Sequence, residues 1–277
     1  MFSKKYGLSY WLSRLVILIL LFITFYPLYI MLVSSFKPNA MIKLDFLALP
    51  KFVDIQNYSN AMSFVLRPVI NSLEVCIISL VFILILVALT GYTFAKMHFK
   101  GKTILFGLLM AVLMIPYTLQ IVPTFWIVYK AGWLNTYLAL IVPYIAGQQI
   151  FGIILSRTFF ESLPDDMFEA AKIDGAGEIY SFIHIAIPLS WPILITVGIS
   201  SFIAMYNDYL WPTIVLTGND NIKTFCQIVF NNAAGNGTTD YGLITAAFVL
   251  GTLPLFVITC SCLKYYIQGM LERAVKG

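Results

Sequence analysis

Six long apolar runs take up most of this chain of 277 residues, and they constrain its fold more than any other feature. They cover approximately 15–34, 71–95, 104–129, 136–156, 190–214 and 242–264. A helix needs about 20 apolar residues to cross the hydrocarbon core of a bilayer. Only 11% of the residues are charged, whereas soluble domains carry about 25%. The sequence therefore predicts an all-α integral membrane protein, with six transmembrane helices in a single domain covering 1–277.

Several of the apolar runs contain proline. Pro116 and Pro123 lie in the third run, Pro143 in the fourth and Pro254 in the sixth. Membrane helices tolerate proline where neighbouring helices or side chains satisfy the freed carbonyl groups. We therefore expect bent helices that pack together in a bundle.

Lysine and arginine residues are unevenly divided between the two sides of the predicted bundle. With the N-terminus inside, 11 of the 17 lie on the inside and 6 on the outside. Short cytoplasmic loops carry an excess of these residues, and the loop with Lys96, Lys100 and Lys102 is the clearest example here. The pattern predicts that both termini are cytoplasmic.

The predicted inside loop, 157–189, is acidic. Its acidic residues are Glu161, Asp165, Asp166, Glu169, Asp174 and Glu178, and its basic residues are only Arg157 and Lys172. Such a surface would repel anionic lipid and would suit a basic cleft on another protein. A solvated surface helix with no partner is the alternative that composition leaves open.

The loop also contains the signals of a short helix. Ser162 is expected to cap its N-terminus, with Pro164 and Asp165 in the first turn, where a fixed φ and a negative charge are favourable. Gly175 or Gly177 is expected to end it in the left-handed conformation. A second short helix, at about 178–186, is expected before Pro188 and the fifth run.

The spacing of residues within this loop forms a motif. Glu169-Ala170-Ala171 is followed after three residues by Gly175, then after nine by Ile185, and then, one residue later, by Ile187-Pro188. This pattern is similar to the EAA loop of the permeases of binding-protein-dependent ABC importers. The family pattern ends in Leu-Pro, so isoleucine before the proline is a conservative difference.

Four further segments extend the resemblance over nearly the whole chain: 91–102, 132–136, 206–212 and 269–277. The first resembles the family's segment after the second span, the second its outer turn between spans three and four, and the third the end of its fifth span. The last resembles the tail of the maltose-type MalG permeases, which are the second permease of sugar systems.

The resemblance implies a six-helix type I ABC importer permease (MetI/MalG-like) in the cell membrane of a prokaryote. It implies a permease subunit that forms half of the translocation pathway of an ATP-driven carbohydrate (oligosaccharide) importer. The implied partners are a second, homologous MalF-like permease, two cytoplasmic ATPase subunits, and an extracellular or periplasmic sugar-binding protein, in addition to membrane lipid. ATP and Mg²⁺ would be used by the ATPase subunits and not bound by this chain.

Two sets of residues are implied to contact the ATPase subunits. The coupling loop would do so through Phe168, Glu169, Ala170, Ala171, Asp174 and Gly175, with Phe168 as an apolar anchor. The cytoplasmic tail, 265–277, would dock at the interface of the two ATPase subunits through Lys276 and Gly277.

The sequence lacks the motifs of a catalytic or metal site. It has no P-loop and no HExxH pair, and its two histidines, His98 and His184, have no metal-ligand partner at helical spacing. No catalytic residue, metal site or bound cofactor is therefore expected, and the scattered net charge of +4 does not suggest nucleic acid. The four cysteines indicate no disulfide framework.

The substrate pathway is the least visible part of the sequence. Residues that suit sugar recognition are Tyr117, Gln120, Asn207 and Tyr209, and Asp208 is an acid close to a span. Aromatic residues at span ends also serve as interfacial anchors, and Asp208 could instead cap or pack a helix. The alternatives for the whole chain are an importer permease for glycerol phosphate or polyamine, or a membrane scaffold or enzyme without transport.

Overall fold

The structure, a computed structural model, describes residues 8–50, 52–233 and 240–274. These residues form α-helices joined by short turns, and no strand occurs among them. The helices are α1 (Leu8–Ser34), α2 (Asn39–Leu44), α3 (Gln56–Lys96), α4 (Lys102–Leu113), α5 (Tyr117–Lys130), α6 (Leu138–Glu161), α7 (Asp165–Ile173), α8 (Glu178–Ser181), α9 (Ile187–Tyr206), α10 (Leu210–Val215), α11 (Phe225–Ala233) and α12 (Tyr241–Ala274). A π-helical turn, Phe182–Ala186, joins α8 to α9, and a 3₁₀ turn covers Asp220–Ile222.

The number of helices that could cross a membrane agrees with the sequence. Within the described ranges, five continuous helical segments are long and apolar enough: Tyr10–Ser34, Gln56–Lys96, Leu138–Glu161, Glu178–Tyr206 and Tyr241–Lys264. The pair α4 and α5 makes a sixth if it is counted as one broken span. The prediction of an all-α membrane protein with six spans is confirmed.

The third span is not the single helix predicted over 104–129. It consists of α4 and α5, whose axes differ by 102°. The break falls at Pro116, which has no backbone N–H and disfavours helical geometry in the residue before it. The carbonyl of Ile115 accepts a hydrogen bond of 2.9 Å from Gln120 Nε2, so a side chain satisfies the acceptor that the break exposes.

The fifth span begins earlier than the predicted 190 and ends before the predicted 214. The segment α8, the π turn and α9 form one helix of 29 residues, Glu178–Tyr206, where the sequence predicted a separate helix at 178–186. Pro188 cannot donate a backbone hydrogen bond, and the π turn directly precedes it, where a change in bonding pattern is accommodated. The chain breaks instead after Tyr206, and α10 is a separate short helix.

Three other helices extend beyond the apolar runs. Helix α3 begins at Gln56 rather than near 71, α6 continues to Glu161 inside the predicted loop, and α12 continues to Ala274 through most of the predicted tail. Hydropathy marks only the part of a helix that lies in hydrocarbon, and polar turns can continue the helix outside it. The tail residues Lys276 and Gly277 lie outside the described residues.

The chain divides into two compact units, and the prediction of a single domain stays a prediction. The first unit consists of Met1–Leu66 and Val229–Leu253. In it, Asn57 Nδ2 donates to the carbonyls of Ser35 (3.1 Å) and Lys37 (2.9 Å), which fixes the turn after α1. Every residue of α1 from 11 to 29 is exposed, as expected of an apolar helix whose surroundings are lipid or another membrane protein.

The second unit consists of Arg67–Ile228 and Pro254–Gly277, and it holds both candidate sites. Helices α6 and α9 pack against each other in its core. Gly152 of α6 allows this approach, since an added Cβ would lie 2.6 Å from Val87 Cγ2 and 2.8 Å from Val197 Cγ1. The fully buried Asn71 donates to the carbonyls of Asn221 (2.8 Å) and Lys223 (2.9 Å), and so attaches α3 to the loop before α11.

Candidate functional site

Helix α7 presents the motif residues, and its two ends follow from local chemistry. Pro164 precedes the helix, and Asp165 and Asp166 occupy its first turn, near the positive end of the helix dipole. Gly175 has a φ of +84°, so the helix ends in the left-handed conformation that glycine adopts readily. The predicted cap at Ser162 is wrong: this residue ends α6, and its Oγ donates to the Phe159 carbonyl at 2.7 Å.

Lys96, the last residue of α3, connects that membrane helix to the start of α7. Its Nζ donates to the Leu163 carbonyl at 2.7 Å and contacts Asp165 Oδ1 at 2.6 Å. The lysine side chain is 9% exposed and the aspartate side chain 78%. The hydrogen bond from Lys96, together with its charge, holds the pKa of Asp165 below its usual range.

Phe168 lies on the inner side of α7. Its ring is 6.1 Å from the Tyr92 ring, and Lys96 Nζ lies 4.9 Å from its centroid. Tyr92 also contacts Phe160 and Phe182, so this aromatic cluster joins α3, α6, α7 and the π turn. The Phe168 ring therefore packs within the chain, and its role as an anchor for another protein stays a prediction.

The outer side of α7 carries an exposed apolar stripe instead. Met167, Ala170 and Ile173 follow each other at intervals of three residues, which places them on one face of a helix. Ile173 is 87% exposed. Glu169 and Asp174 are exposed beside the stripe, whereas Ala171 is only half-exposed. Met167 and Ile173 were not predicted as site residues, although their spacing from Ala170 in the sequence indicates a shared helix face.

A second feature is a polar cavity of about 560 Å³ beside the break between α4 and α5. It brings together four of the five residues predicted for the substrate pathway: Tyr117, Gln120, Asn207 and Asp208. Tyr209, the fifth, is not among its lining residues. Tyr144 and Gln148 of α6 also line it, and neither was predicted because both lie inside an apolar run.

Asp208 both lines this cavity and caps a helix. Its Oδ1 accepts hydrogen bonds from the backbone N–H groups of Leu210 (3.0 Å) and Trp211 (3.2 Å), at the start of α10. Its Oδ2 accepts a hydrogen bond of 3.0 Å from the Tyr144 hydroxyl. The sequence left two roles open for Asp208, lining the substrate pathway and capping a helix, and the structure allows both.

In the described part of the chain, no three His, Cys, Asp or Glu residues lie close enough together to hold a metal ion. The chemistry available at both features is hydrogen bonding, charge and apolar contact. These are means of binding a partner or a solute.

The family model for the inner membrane component of binding-protein-dependent transport systems matches residues 85–276. The chain belongs to this family. The match covers α7, the lysine contact from α3 and the polar cavity. As a member, the chain is a multi-pass membrane permease, a transport component rather than an enzyme, and it works with other components of an ABC importer.

Two relatives match the permease over most of its length. The diacetylchitobiose uptake system permease protein NgcG of Streptomyces coelicolor is 31% identical over 84% of this chain and 78% of its own. The arabinooligosaccharides transport system permease protein AraQ of Halalkalibacterium halodurans is 27% identical over 96% of both chains.

The fold of the permease also resembles a solved structure. A chain in the crystal structure of a bacterial ABC transporter involved in the import of the acidic polysaccharide alginate superposes with a TM-score of 0.82. The superposition covers 95% of this chain and 100% of that one, at 20% sequence identity. The fold is therefore that of an ABC importer permease.

Proposed function

We propose that this chain is one permease subunit of an ATP-driven carbohydrate importer in a prokaryotic cell membrane. It forms half of the translocation pathway beside a second, homologous permease. Two cytoplasmic ATPase subunits bind ATP and Mg²⁺ and hydrolyse the nucleotide, and a sugar-binding protein delivers the solute from outside. The named solutes of the relatives, diacetylchitobiose and arabinooligosaccharides, support a sugar or oligosaccharide as the cargo.

The orientation in this proposal has both termini in the cytoplasm. The lysine and arginine distribution supports it. Helix α7 then lies on the cytoplasmic side, where the ATPase subunits are.

The observation that carries the proposal is the exposed face of α7. A helix outside the apolar spans that exposes Met167, Ala170 and Ile173 in one stripe has an apolar surface suited to a protein partner. Alanine in the middle of the stripe permits close approach, and exposed acids, including Glu169 and Asp174, flank it. We propose that this face docks in a cleft of an ATPase subunit with basic groups at its rim, and that Ala171 and Gly175 shape the docked helix. The tail residues Lys276 and Gly277 contact the ATPase interface in the same proposal.

Movement of the ATPase subunits would reach the spans through the inner side of α7. Lys96 and the aromatic cluster around Tyr92 attach this helix to α3 and to the π turn. A displaced α7 therefore displaces the cytoplasmic ends of two spans together.

The test is to purify the native complex in mild detergent, identify its chains by mass spectrometry, and measure ATP hydrolysis after reconstitution with its binding protein. Sugars, glycerol phosphate and a polyamine are added one at a time. Stimulation of ATP hydrolysis by a sugar would support the proposal. Stimulation by another solute only would show that the cargo is not a sugar. The absence of any ATPase subunit from the complex would refute the assignment as an importer permease.

Variants of α7 test the docking face in the same preparation. Glu169→Lys reverses a charge beside the stripe, and Ile173→Asp places a charge within it. Both should release the ATPase subunit while the permease remains in the membrane. Lys172→Ala is the matched control, and it should keep the subunit bound; retention of the subunit in all three variants would refute the docking face.

A further inference from the structure

The polar cavity beside the break between α4 and α5 has an acidic lining, and the function proposed above does not say which charge its cargo carries. The cavity walls come from the break between α4 and α5, from the middle of α6, and from the end of α9 and the residues that follow it. The described residues that line it include one acid, Asp208, and no lysine, arginine or histidine. The remaining polar lining groups are neutral hydroxyl and amide side chains.

We infer that Asp208 makes this cavity selective against anionic sugars, so that the cargo is a neutral sugar or an amino sugar. This inference rests on the proposed function, since it takes the cavity as this subunit's part of the sugar pathway. It adds the charge class of the cargo and the residue that sets it.

The position of the carboxylate is fixed by its hydrogen bonds. Two backbone N–H groups hold Oδ1 and the Tyr144 hydroxyl holds Oδ2. Burial of the carboxylate favours its neutral form, whereas the three donors favour the ionised form and orient it on the wall. Because these donors are neutral, the negative charge is not cancelled and acts on any solute in the cavity.

The neutral groups suit a polyhydroxylated solute. The amides of Gln148 and Asn207 each offer donors and an acceptor, which is what sugar hydroxyls require. The Gln120 amide donates to the Ile115 carbonyl through Nε2 and holds its position by that bond. A carboxylated sugar would face Asp208 with no basic group among the described lining residues to offset the repulsion, whereas a hydroxyl or an ammonium group would be accepted.

The charge of the cavity can be measured without knowing the sugar. Gly147 lines the cavity, is exposed, and has no atom within 4 Å of an added Cβ. Gly147→Cys in a cysteine-free form of the purified complex provides a reporter thiol. Its reaction rates are compared for a cationic and an anionic methanethiosulfonate, each corrected for its rate with a free thiol.

We expect the cationic reagent to react faster by roughly tenfold, from one unit charge acting at close range in a partly aqueous site. Asp208→Asn should abolish most of this preference, and asparagine keeps the capping ability of the side chain. Asp220→Asn, which removes an exposed acid outside the cavity, is the matched control and should leave the preference unchanged.

Three labelling results would overturn the inference: no reaction at Gly147→Cys, equal rates for the two reagents, or a preference that survives Asp208→Asn. Each is independent of whether any sugar stimulates ATP hydrolysis, so failure here is distinguishable from failure of the proposed function. If the complex is stimulated by an acidic oligosaccharide but not by neutral or amino sugars, the importer stands and this inference falls.

Discussion

Two glycines near the end of α7 differ in what they require of the backbone. Gly175 has a φ of +84°, whereas Gly177 has a φ of −78°, which any residue adopts. An added Cβ would meet no atom within 4 Å at either position. Any difference between substitutions at the two sites therefore arises from backbone conformation alone.

Gly175→Val should destabilise the end of α7 by about 1–2 kcal/mol, the cost of a left-handed conformation for a residue with a Cβ. Transport should fall with it, if the docking face acts as proposed. Hydrogen exchange of the amides of 171–176 measures the local effect, and uptake measures the functional one. Gly177→Val is the control with the same added volume; equal exchange in the two variants would contradict the prediction.

Glycine is required at position 91 for a different reason: a larger residue at Gly91 would have no space. An added Cβ would overlap Ser156 Oγ and lie 3.1 Å from the backbone nitrogen of Arg157. Ser156 is fully buried, and its hydroxyl donates to the Val87 carbonyl at 3.0 Å, so it cannot turn away without losing that bond. Helices α3 and α6 therefore meet here at backbone distance.

Gly91→Ala should lower the free energy of unfolding by about 1–3 kcal/mol, which is typical of overpacking. Gly107→Ala in α4 is the matched control, because a Cβ there meets nothing within 4 Å. Alanine is the better helix former, so the control should be neutral or slightly stabilising. Thermal unfolding in detergent compares the two, and an equal fall in both melting temperatures would refute the close contact.

At the scale of elements, Lys96 holds α3 against α7, and its ion pair with Asp165 is only a small part of that contact. Lys96 is nearly buried and makes three contacts: the Leu163 carbonyl, Asp165 and the Phe168 ring. Asp165 is mostly exposed, and exposed ion pairs contribute little to stability. Because the pKa of Asp165 is lowered, this small contribution is complete at neutral pH and is lost only as the pH falls through that lowered pKa.

Lys96→Met should destabilise the packing of α7 by about 1.5–3 kcal/mol, the range for a hydrogen bond from a charged group. Asp165→Asn should have a smaller effect. Limited proteolysis of the loop at neutral pH ranks the variants, and Lys172→Met, at an exposed position of the same helix, serves as the control. If Asp165→Asn exposes the loop as much as Lys96→Met does, the ion pair and not the lysine is the main contact.

The sequence predicts the features of an element that one local signal determines. It does not predict the features that depend on packing against distant parts of the chain. The end of α7 at Gly175 followed from the preference of glycine for positive φ. The inward direction of Phe168 did not, because it depends on Tyr92, which is distant in sequence. Pro116 indicated a bend, but its size of 102° depends on the surrounding helices and on the Gln120 hydrogen bond.

At the scale of the whole molecule, hydropathy predicted the number of spans because the bilayer fixes the length of an apolar run. It could not predict that α3 would begin at Gln56, since that part of the helix is held by polar contacts, such as the one from Asn57. The polar cavity was predictable only in part. Its residues come from separate runs that only the folded bundle brings together.

The orientation of the molecule can be tested with single cysteines in a cysteine-free background. Lys43→Cys and Lys172→Cys lie at exposed positions on opposite sides of the predicted membrane. With both termini inside, an impermeant thiol reagent added to intact cells should label the first and not the second. Both should react after the cells are permeabilised. Labelling of Lys172→Cys in intact cells would reverse the orientation.

The unbroken helix Glu178–Tyr206 has a mechanical consequence. A helix of this length is a stiff rod, and its most compliant point is the π turn, Phe182–Ala186, where the hydrogen bonds change register. A force received at Glu178 is therefore passed into the membrane by a rigid element, and the helix deforms first at the π turn. A π turn accommodates one extra residue in a wider turn, so deleting one residue from it would restore α geometry and leave the helix on either side near its present orientation. Deleting one residue from the regular turn of α8 would instead turn α7 by about 100° relative to the spans.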